Sequence, residues 1–387
     1  MRILHIDTER GWRGGQRQAL WLAQSLAQRG HPSIVAARSG EPLERRAREA
    51  GLEVAACAPR FEADPIAVLG LRRRLRESRI DLVHAHAAHA VGLGALATLG
   101  TGIKLVASRR VDFPLRRNFG TRWKYGRAAA IIAISRAVAD VLAQSGIGPE
   151  RIVVIPDGTD TRRVIAPASP ETLASLGVRP GAPLVVQVAQ LMPHKDPLNF
   201  VRAISAARGR VPALQALLVG DGRLREEVSD AVRTLGLEGS LHAVGFRQDA
   251  DALLAAADVV VLSSRDEGMG SVLLDALFLG KPVAATRAGG IPEIIVHGAS
   301  GLLAPVSDPD ALGAHIATLL EDRALASRLA VAAHARAPEF SMDRLTDRTL
   351  AVYQRVLAGA PLDDRDATSR RTDAATRASS ASSTRAP

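Results

Sequence analysis

The chain has 387 residues, of which 47% are hydrophobic and 23% charged, and its formal net charge is +10. This length exceeds the range in which one hydrophobic core keeps growing, so two domains are expected, and the single cysteine, Cys57, excludes an intramolecular disulfide. No apolar run reaches the ~20 residues of a transmembrane helix and the start lacks a secretory pattern, so we expect a cytoplasmic protein.

A glycine-rich turn follows the first predicted strand. Residues 1–6 are apolar enough for a buried strand, and Gly14 and Gly15 precede an amphipathic helix predicted from about 16 to 28. In a doubly wound sheet, a turn at this place commonly faces the ligand crevice. Because no lysine–serine or lysine–threonine pair follows the glycines, a P-loop NTPase is disfavoured.

The segment 81–86 predicts a strand that carries His84 and His86 on one face. Neutral imidazoles near a strand end can bind zinc, but such a site needs further ligands, and the sequence has no recognisable second cluster of them. We therefore predict no metal site. Buried histidines with only a structural role remain an open alternative to a functional role for this pair.

Positive charge is concentrated in the first part of the chain. Residues 1–160 contain 25 Lys and Arg against 15 Asp and Glu, whereas residues 161–387 contain 25 of each. The densest segment, 109–127, interleaves aromatic residues with cations. The cations singled out as a membrane or acceptor patch are Arg109, Arg110, Arg116, Arg117, Arg122 and Lys124. This composition suits an anionic membrane surface or an acidic acceptor, at about 1 kcal/mol per basic residue near an anionic leaflet. A solvated basic face is the alternative, and without a nucleic-acid-binding motif we predict no nucleic-acid partner.

The second half starts with a predicted strand at 184–189, which leads into Gln190 and Lys195. A cation just beyond a strand end is well placed to bind a diphosphate, because ligands of open α/β sheets collect at the carboxyl ends of strands. A solvated loop lysine is the alternative. Two further strand ends, at Gly220 and Arg247, fit the walls of a nucleotide pocket. The turn at Gly220 lacks the third glycine and the downstream acid of a dinucleotide fingerprint, so a dehydrogenase is disfavoured and a purely structural turn stays open.

The segment 263–294 carries the most informative motif. Glu267 begins a glycine-flanked loop that leads into a predicted helix. The loop and helix start consist of Gly268, Met269, Gly270 and Ser271. The first turn of such a helix has amides without intrahelical partners, and glycines let a phosphate approach them. Asp275 follows Glu267 by eight positions, so the two carboxylates could hold different hydroxyl groups of one extended ligand. An ordinary capped helix is the alternative.

Residues 280–293 extend this motif with a Gly-Lys-Pro strand start and a Gly-Gly-Ile-Pro-Glu helix start. Together with Glu267 and Asp275, they resemble the donor-binding signature of retaining glycosyltransferases of family four, which have the two-domain GT-B fold. The resemblance implies that Glu267 contacts the transferred sugar, Asp275 the nucleotide ribose and Lys195 the diphosphate, and that His86 faces the sugar across the cleft. It also implies no metal and no cofactor, with a UDP- or GDP-sugar as substrate.

Two positions depart from the family pattern. Asp275 stands where the family usually has Glu, and Gln190 stands where related enzymes usually carry an Arg. If Lys195 alone remains, the leaving diphosphate lacks a second positive charge, which another residue must supply. The candidates are Arg247, Arg265 and Arg287. The resemblance also implies that the turn at Gly14 and Gly15 reaches toward the diphosphate and the acceptor.

The resemblance covers roughly residues 1–358 and implies an α/β fold of two Rossmann-like, doubly wound domains that face a central cleft. We expect an acceptor-side domain at 1–160 and a nucleotide-sugar-binding domain at 161–337. A helix at 338–359 should pack back on the first domain. Residues 360–387 have almost no large apolar side chain and predict a disordered tail.

The predicted function is retaining, metal-independent transfer of a sugar from a nucleotide-sugar to an envelope glycolipid, such as lipopolysaccharide core, or to a saccharide. The S-R-R-V-D-F-P segment, at 108–114, resembles the corresponding segment of family members that act on such acceptors. The basic segment adds peripheral docking on the inner face of the cytoplasmic membrane. Two alternatives stay open: a non-catalytic nucleotide-sugar-binding sensor or partner subunit, and a same-fold nucleotide-sugar epimerase.

Overall fold

The computed structural model describes residues 1–116 and 118–362, which form two parallel β-sheets packed against helices. Strands and helices alternate along the chain. This pattern produces parallel sheets because each crossover helix packs back on the sheet that it connects. The predicted pair of doubly wound α/β units is confirmed, whereas most of the tail predicted at 360–387 lies outside the described residues.

The first sheet has the strand order β3-β2-β1-β4-β5-β6-β7. Its strands are β1 (Ile3–Asp7), β2 (Ser33–Ala37), β3 (Glu53–Ala56), β4 (Leu82–Ala85), β5 (Lys104–Arg109), β6 (Ala130–Ala133) and β7 (Ile152–Val154). The intervening helices are α1 (Gly14–Gln28), α2 (Pro42–Glu49), α3 (Pro65–Glu77), α4 (Ala88–Thr98), α5 (Phe119–Gly126) and α6 (Arg136–Gln144). The order reverses between β1 and β4, so the crevice beyond their carboxyl ends is the place where such a sheet binds ligands.

The second sheet has the order β10-β9-β8-β11-β12-β13. Its strands are β8 (Leu184–Val188), β9 (Gln215–Val219), β10 (Leu241–Gly245), β11 (Val259–Leu262), β12 (Val283–Thr286) and β13 (Leu302–Ala304). The helices of this half are α7 (Pro170–Ser175), α8 (Pro197–Arg208), α9 (Arg225–Thr234), α10 (Ala250–Ala256), α11 (Ser271–Phe278), α12 (Ile291–Ile294), α13 (Pro309–Glu321) and α14 (Arg323–His334). Here the order reverses between β8 and β11, which makes their carboxyl ends neighbours.

The last helix, α15 (Met342–Ala358), packs against α1 of the first sheet's domain. Its apolar stripe, which includes Tyr353, is buried in one cluster with Leu22 of α1 and Ile3 of β1. The Ser341 hydroxyl caps the helix by accepting the N–H of Arg344. The last described helix, α15, therefore packs as part of the first domain.

The two domains are closed on each other. The largest hydrophobic cluster is continuous from Ile134 in the first domain to Met269 and Ile291 in the second. The motif segment that begins at Glu267 thus lies at the junction. Within the described part of the chain, no helix combines the length and the apolarity that crossing a membrane requires.

Candidate functional site

The N-terminus of α11 faces the first glycine turn across the interdomain cleft. Gly270, the residue before α11, has φ = 86°, a left-handed conformation that favours glycine. A Cβ at Gly14 would lie 2.8 Å from the hydroxyl oxygen of Ser271, so the Ser271 side chain would have to rotate to admit it. Gly14 and Ser271, which the sequence placed in one site, are therefore brought together.

Glu267 and Lys195 form an ion pair at the carboxyl ends of neighbouring strands. Glu267 is 8% exposed, and the Ser264 hydroxyl donates to its Oε2 at 3.0 Å. Lys195 ends the short 3-10 turn after β8, where the Ser263 hydroxyl donates to its carbonyl at 3.2 Å. A buried carboxylate can bind sugar hydroxyls and an ammonium group can bind phosphate oxygens, so the pair can hold both ends of a sugar–phosphate bond.

Two other residues that the sequence predicted to bind the nucleotide-sugar lie at the same carboxyl-end edge of the second sheet. Gly220 follows β9, and a Cβ there would lie 2.8 Å from the carbonyl carbon of Ala189, so close backbone approach explains this glycine. Arg247 donates two hydrogen bonds to Asp249, at 2.8 and 2.6 Å. Because a carboxylate already neutralises this guanidinium, Arg247 is a poor candidate to supply the positive charge that related enzymes have at the position of Gln190.

Asp275 is buried, and both its carboxylate oxygens are bound. Oδ2 accepts from Arg17 of α1 at 2.6 Å, and Oδ1 accepts from the Thr159 hydroxyl and from Arg163, each at 2.9 Å. Both guanidinium groups lie over the ring of Trp21, at 4.7 and 4.9 Å from its centroid. Asp275 thus ties the second domain to the first domain and to the crossover. A ribose contact would have to share an oxygen that this network uses, so the ribose role stays a prediction.

Replacing Asp275 with Ala is expected to destabilise the protein. Arg17 and Arg163 would then be largely buried without their main counter-charge, a loss that typically costs about 3–5 kcal/mol, which the Arg163–Asp251 contact would partly offset. Urea denaturation of Asp275→Ala measures this cost. Asp221→Ala, at an exposed ion pair, is the matched control, and equal stability of the two variants would contradict the structural role.

His84 and His86 lie with His5 in a buried cluster at the carboxyl ends of β1 and β4. Their ring nitrogens lie within 4.8 Å of one another, and among the described residues this is the group whose ligand atoms could converge on a metal ion. His84, however, contacts the hydroxyls of Tyr353 at 2.6 Å and Ser108 at 2.8 Å. His86 Nε2 contacts His5 Nδ1 at 3.0 Å. Burial lowers the pKa of His84 and His86 well below the usual value, so these rings are neutral. The hydrogen bonds fit structural histidines, the alternative that the sequence left open.

Arg109 and Arg110 turn into the protein, so their assignment to a membrane-facing surface is wrong, whereas a contact of either residue with the acceptor stays a prediction. Arg109 is 8% exposed and donates to the carbonyl of Phe113 at 2.6 Å. Arg110 donates to Asp157 at 3.2 Å and contacts the Nδ1 of His86 at 3.3 Å. The reason is local, since β5 ends at Arg109 and its carboxyl end opens into the cleft. The sugar contact predicted for His86 stays a prediction, with Arg110 now bound to that ring.

The rest of the predicted patch is also smaller than the sequence indicated. Lys124 is mostly buried and forms an ion pair with Glu62, so it is not a free surface charge. Arg117 lies outside the described residues. Arg116 and Arg122 are exposed, and they flank Phe119, a residue that is 84% exposed. We call these three residues, Arg116, Phe119 and Arg122, the α5 patch.

Two family models match the chain, and together they span most of it. One is described as Glycosyltransferase Family 4 and matches residues 12–163. The other is described as Glycosyl transferases group 1 and matches residues 169–336. The boundary between the matches falls in the crossover between the two sheets.

Characterised relatives extend this similarity over nearly the whole chain. The lipopolysaccharide core biosynthesis glycosyltransferase LpsE of Rhizobium meliloti is 27% identical over 350 residues, which are 90% of this chain and 96% of that protein. The 2-deoxystreptamine N-acetyl-D-glucosaminyltransferase of Streptomyces fradiae is 30% identical over 339 residues, 77% of this chain and 80% of that protein. Among solved structures, Anabaena HepE in complex with UDP-glucose matches 92% of this chain and 99% of its own, with a TM-score of 0.80 and 24% identity.

Proposed function

The chain belongs to the family 4 glycosyltransferases and has their GT-B fold, and from this membership we propose that it transfers a sugar from a nucleotide-sugar to an envelope glycolipid or saccharide with retention of configuration. The Glu267–Lys195 pair beside the N-terminus of α11 carries the proposal. In this proposal the carboxylate would bind sugar hydroxyls, and the ammonium group and the first amides of α11 would bind the diphosphate.

The proposed mechanism relies on electrostatic stabilisation of the leaving diphosphate. Lys195 and the amides of α11 would bind the negative charge that develops as the bond from the anomeric carbon to the diphosphate oxygen breaks. The acceptor hydroxyl would form the new bond on the same face of the sugar and pass its proton to the departing diphosphate oxygen. Glu267 would hold the sugar hydroxyls while this happens. In this mechanism no divalent ion is required.

We propose an envelope glycolipid, such as lipopolysaccharide core, as the acceptor. LpsE, which is similar to 90% of this chain, is named for lipopolysaccharide core biosynthesis. The acceptor side is the first domain. Residues 1–160 contain the whole net positive charge of the chain, which suits a phosphorylated or acidic saccharide. For the donor we propose a UDP- or GDP-sugar, and the UDP-glucose complex of HepE puts UDP-sugars first in any screen.

A thermal-shift screen of the purified protein against UDP-, GDP- and ADP-sugars, combined with an assay of nucleotide release and of nucleotide-sugar conversion, all with EDTA present, tests the donor assignment. We expect one nucleotide class to raise the melting temperature without any divalent ion. Stabilisation without nucleotide release under any acceptor condition would favour the non-catalytic sensor. Conversion of the free nucleotide-sugar without an acceptor would favour the epimerase, and no stabilisation by any nucleotide would contradict the donor site.

We further propose that the α5 patch docks the enzyme on an anionic membrane surface, where a glycolipid acceptor resides. The double variant Arg116→Gln/Arg122→Gln is expected to weaken binding to anionic vesicles roughly 30-fold, since each basic residue near such a surface contributes about 1 kcal/mol. Vesicle sedimentation measures the change. The charge-matched control is Arg202→Gln/Arg328→Gln, at two exposed positions of the second domain. Equal binding by both double variants would exclude docking through the α5 patch.

A further inference from the structure

The loop after β5 carries Asp112 and Phe113 across the cleft to the second domain. Asp112 Oδ2 accepts the backbone N–H of Glu267 at 2.8 Å. The ring of Phe113 meets that of His194 edge to face, with centroids 5.8 Å apart at an angle of 85°. His194 directly precedes Lys195 in the chain. Two consecutive residues of the first domain therefore contact Glu267 and the residue that precedes Lys195.

The contact at Asp112 completes a set of bonds that fixes Glu267. The Glu267 N–H is bound by Asp112, and its carbonyl accepts the N–H of Gly290 at 3.0 Å. Its side chain is held by Lys195 and Ser264. All these partners except Asp112 belong to the second domain. The first domain holds the Glu267 N–H through this hydrogen bond, and its Ser135 hydroxyl donates to the carbonyl of the next residue, Gly268, at 2.6 Å.

The surroundings of Asp112 are tightly packed and electrostatically unfavourable for a carboxylate. A Cβ at Gly289 would lie 2.8 Å from the carbonyl carbon of Glu267 and 3.1 Å from Asp112 Oδ2, so glycine is required here mainly by the Glu267 backbone, with the Asp112 carboxylate beside it. Burial raises the pKa of Asp112, and the charges of Asp266 and Glu267 act in the same direction. The hydrogen bond from the Glu267 N–H acts in the opposite direction, so it partly offsets the cost of placing a carboxylate beside two others.

We propose that Asp112 is a positioning residue that orients Glu267 for the transferred sugar when the two domains close. This inference rests on the proposed function, which gives Glu267 its contact with the sugar. Opening of the cleft breaks the Asp112 hydrogen bond, whereas the bonds within the second domain persist. The sugar end of the donor is therefore recognised correctly in the closed state, while the nucleotide end is bound by the second domain in either state.

Two substitutions at Asp112 test this role against the loss of a charge or a general structural defect. Asp112→Ala removes the acceptor and is expected to lower kcat about 10- to 100-fold, the scale on which a displaced catalytic group costs rate. Asp112→Asn keeps an acceptor oxygen and is expected to restore most of that rate. The affinity for UDP alone, measured by calorimetry, should stay unchanged in both. Asp140→Ala, at an exposed position of α6, is the first-domain control.

Other outcomes of these measurements would overturn the positioning role, its hydrogen-bond mechanism or the proposed function. Wild-type kcat in Asp112→Ala, or a loss of UDP affinity parallel to the loss of kcat, would overturn the positioning role. An Asn variant as slow as the Ala variant, at the same melting temperature, would overturn the hydrogen-bond mechanism. If the wild-type protein itself binds UDP but transfers no sugar, the proposed function fails, and the inference fails with it.

Discussion

Replacing Glu267 with Ala is expected to lower sugar transfer about 10²–10³-fold, the usual cost of removing one preorganised polar group from an active site. The fold should survive because the loop keeps its backbone bonds to Asp112 and Gly290. Affinity for the nucleotide should also survive, since Glu267 is assigned to the sugar. Steady-state kcat and KM for the nucleotide-sugar, together with the Kd for free UDP or GDP, separate these effects.

The isosteric variant Glu267→Gln shows whether charge or shape matters. The amide keeps one acceptor for a sugar hydroxyl but gives up the ion pair with Lys195, so we expect a smaller but substantial loss of rate. Glu227→Ala, at an exposed position of α9, is the matched control and should behave as wild type. Unchanged transfer in Glu267→Ala would remove Glu267 from the site.

Replacing Lys195 with Ala is expected to lower transfer by a similar factor, about 10²–10³-fold, because the leaving diphosphate loses its positively charged partner. Gln190 cannot take over this charge, and the side chains of Arg247 and Arg265 contact Asp249 and Asp266. In contrast to the Glu267 variants, Lys195→Ala should also weaken binding of the free nucleoside diphosphate. Calorimetric titration with UDP and GDP measures this difference.

The control for Lys195 is Lys104→Ala, since Lys104 is exposed at the amino end of β5, away from the cleft. Lys195→Arg should keep part of the rate because the cation is preserved. Since Lys195 and Glu267 contact each other, the double Ala variant should lose less than the product of the two single losses. Wild-type affinity for the diphosphate in Lys195→Ala would refute the assignment of this lysine.

The sequence predicted the framework of this site because local patterns determine it. Apolar runs located β8 and β12, and the rule that ligands collect at strand ends placed Lys195 in the site. The resemblance to family 4 assigned Glu267 to the same ligand, and the structure shows the two residues in contact. The glycines at Gly14 and Gly270 also indicated turns that face the ligand crevice. These features depend on residues a few positions apart, which a single sequence shows directly.

The contacts across the cleft could not be predicted in the same way. Arg17 and Asp275 are 258 residues apart, and Asp112 and Glu267 are 155 apart, so no spacing or periodicity connects them. The error of placing Arg109 and Arg110 on a membrane-facing surface has a related cause. Composition shows a basic segment but not which of its side chains leave the strand toward the cleft. Such contacts are set by the docking of two domains.

Nucleotide release from the preferred nucleotide-sugar in the presence of EDTA and a lipopolysaccharide-type acceptor tests the central claim most directly. We predict acceptor-dependent release by the wild-type protein without any divalent ion, and its loss in both Glu267→Ala and Lys195→Ala. Release that requires a divalent ion would contradict the proposed electrostatic mechanism. Release that persists in both variants would contradict the assignment of the site.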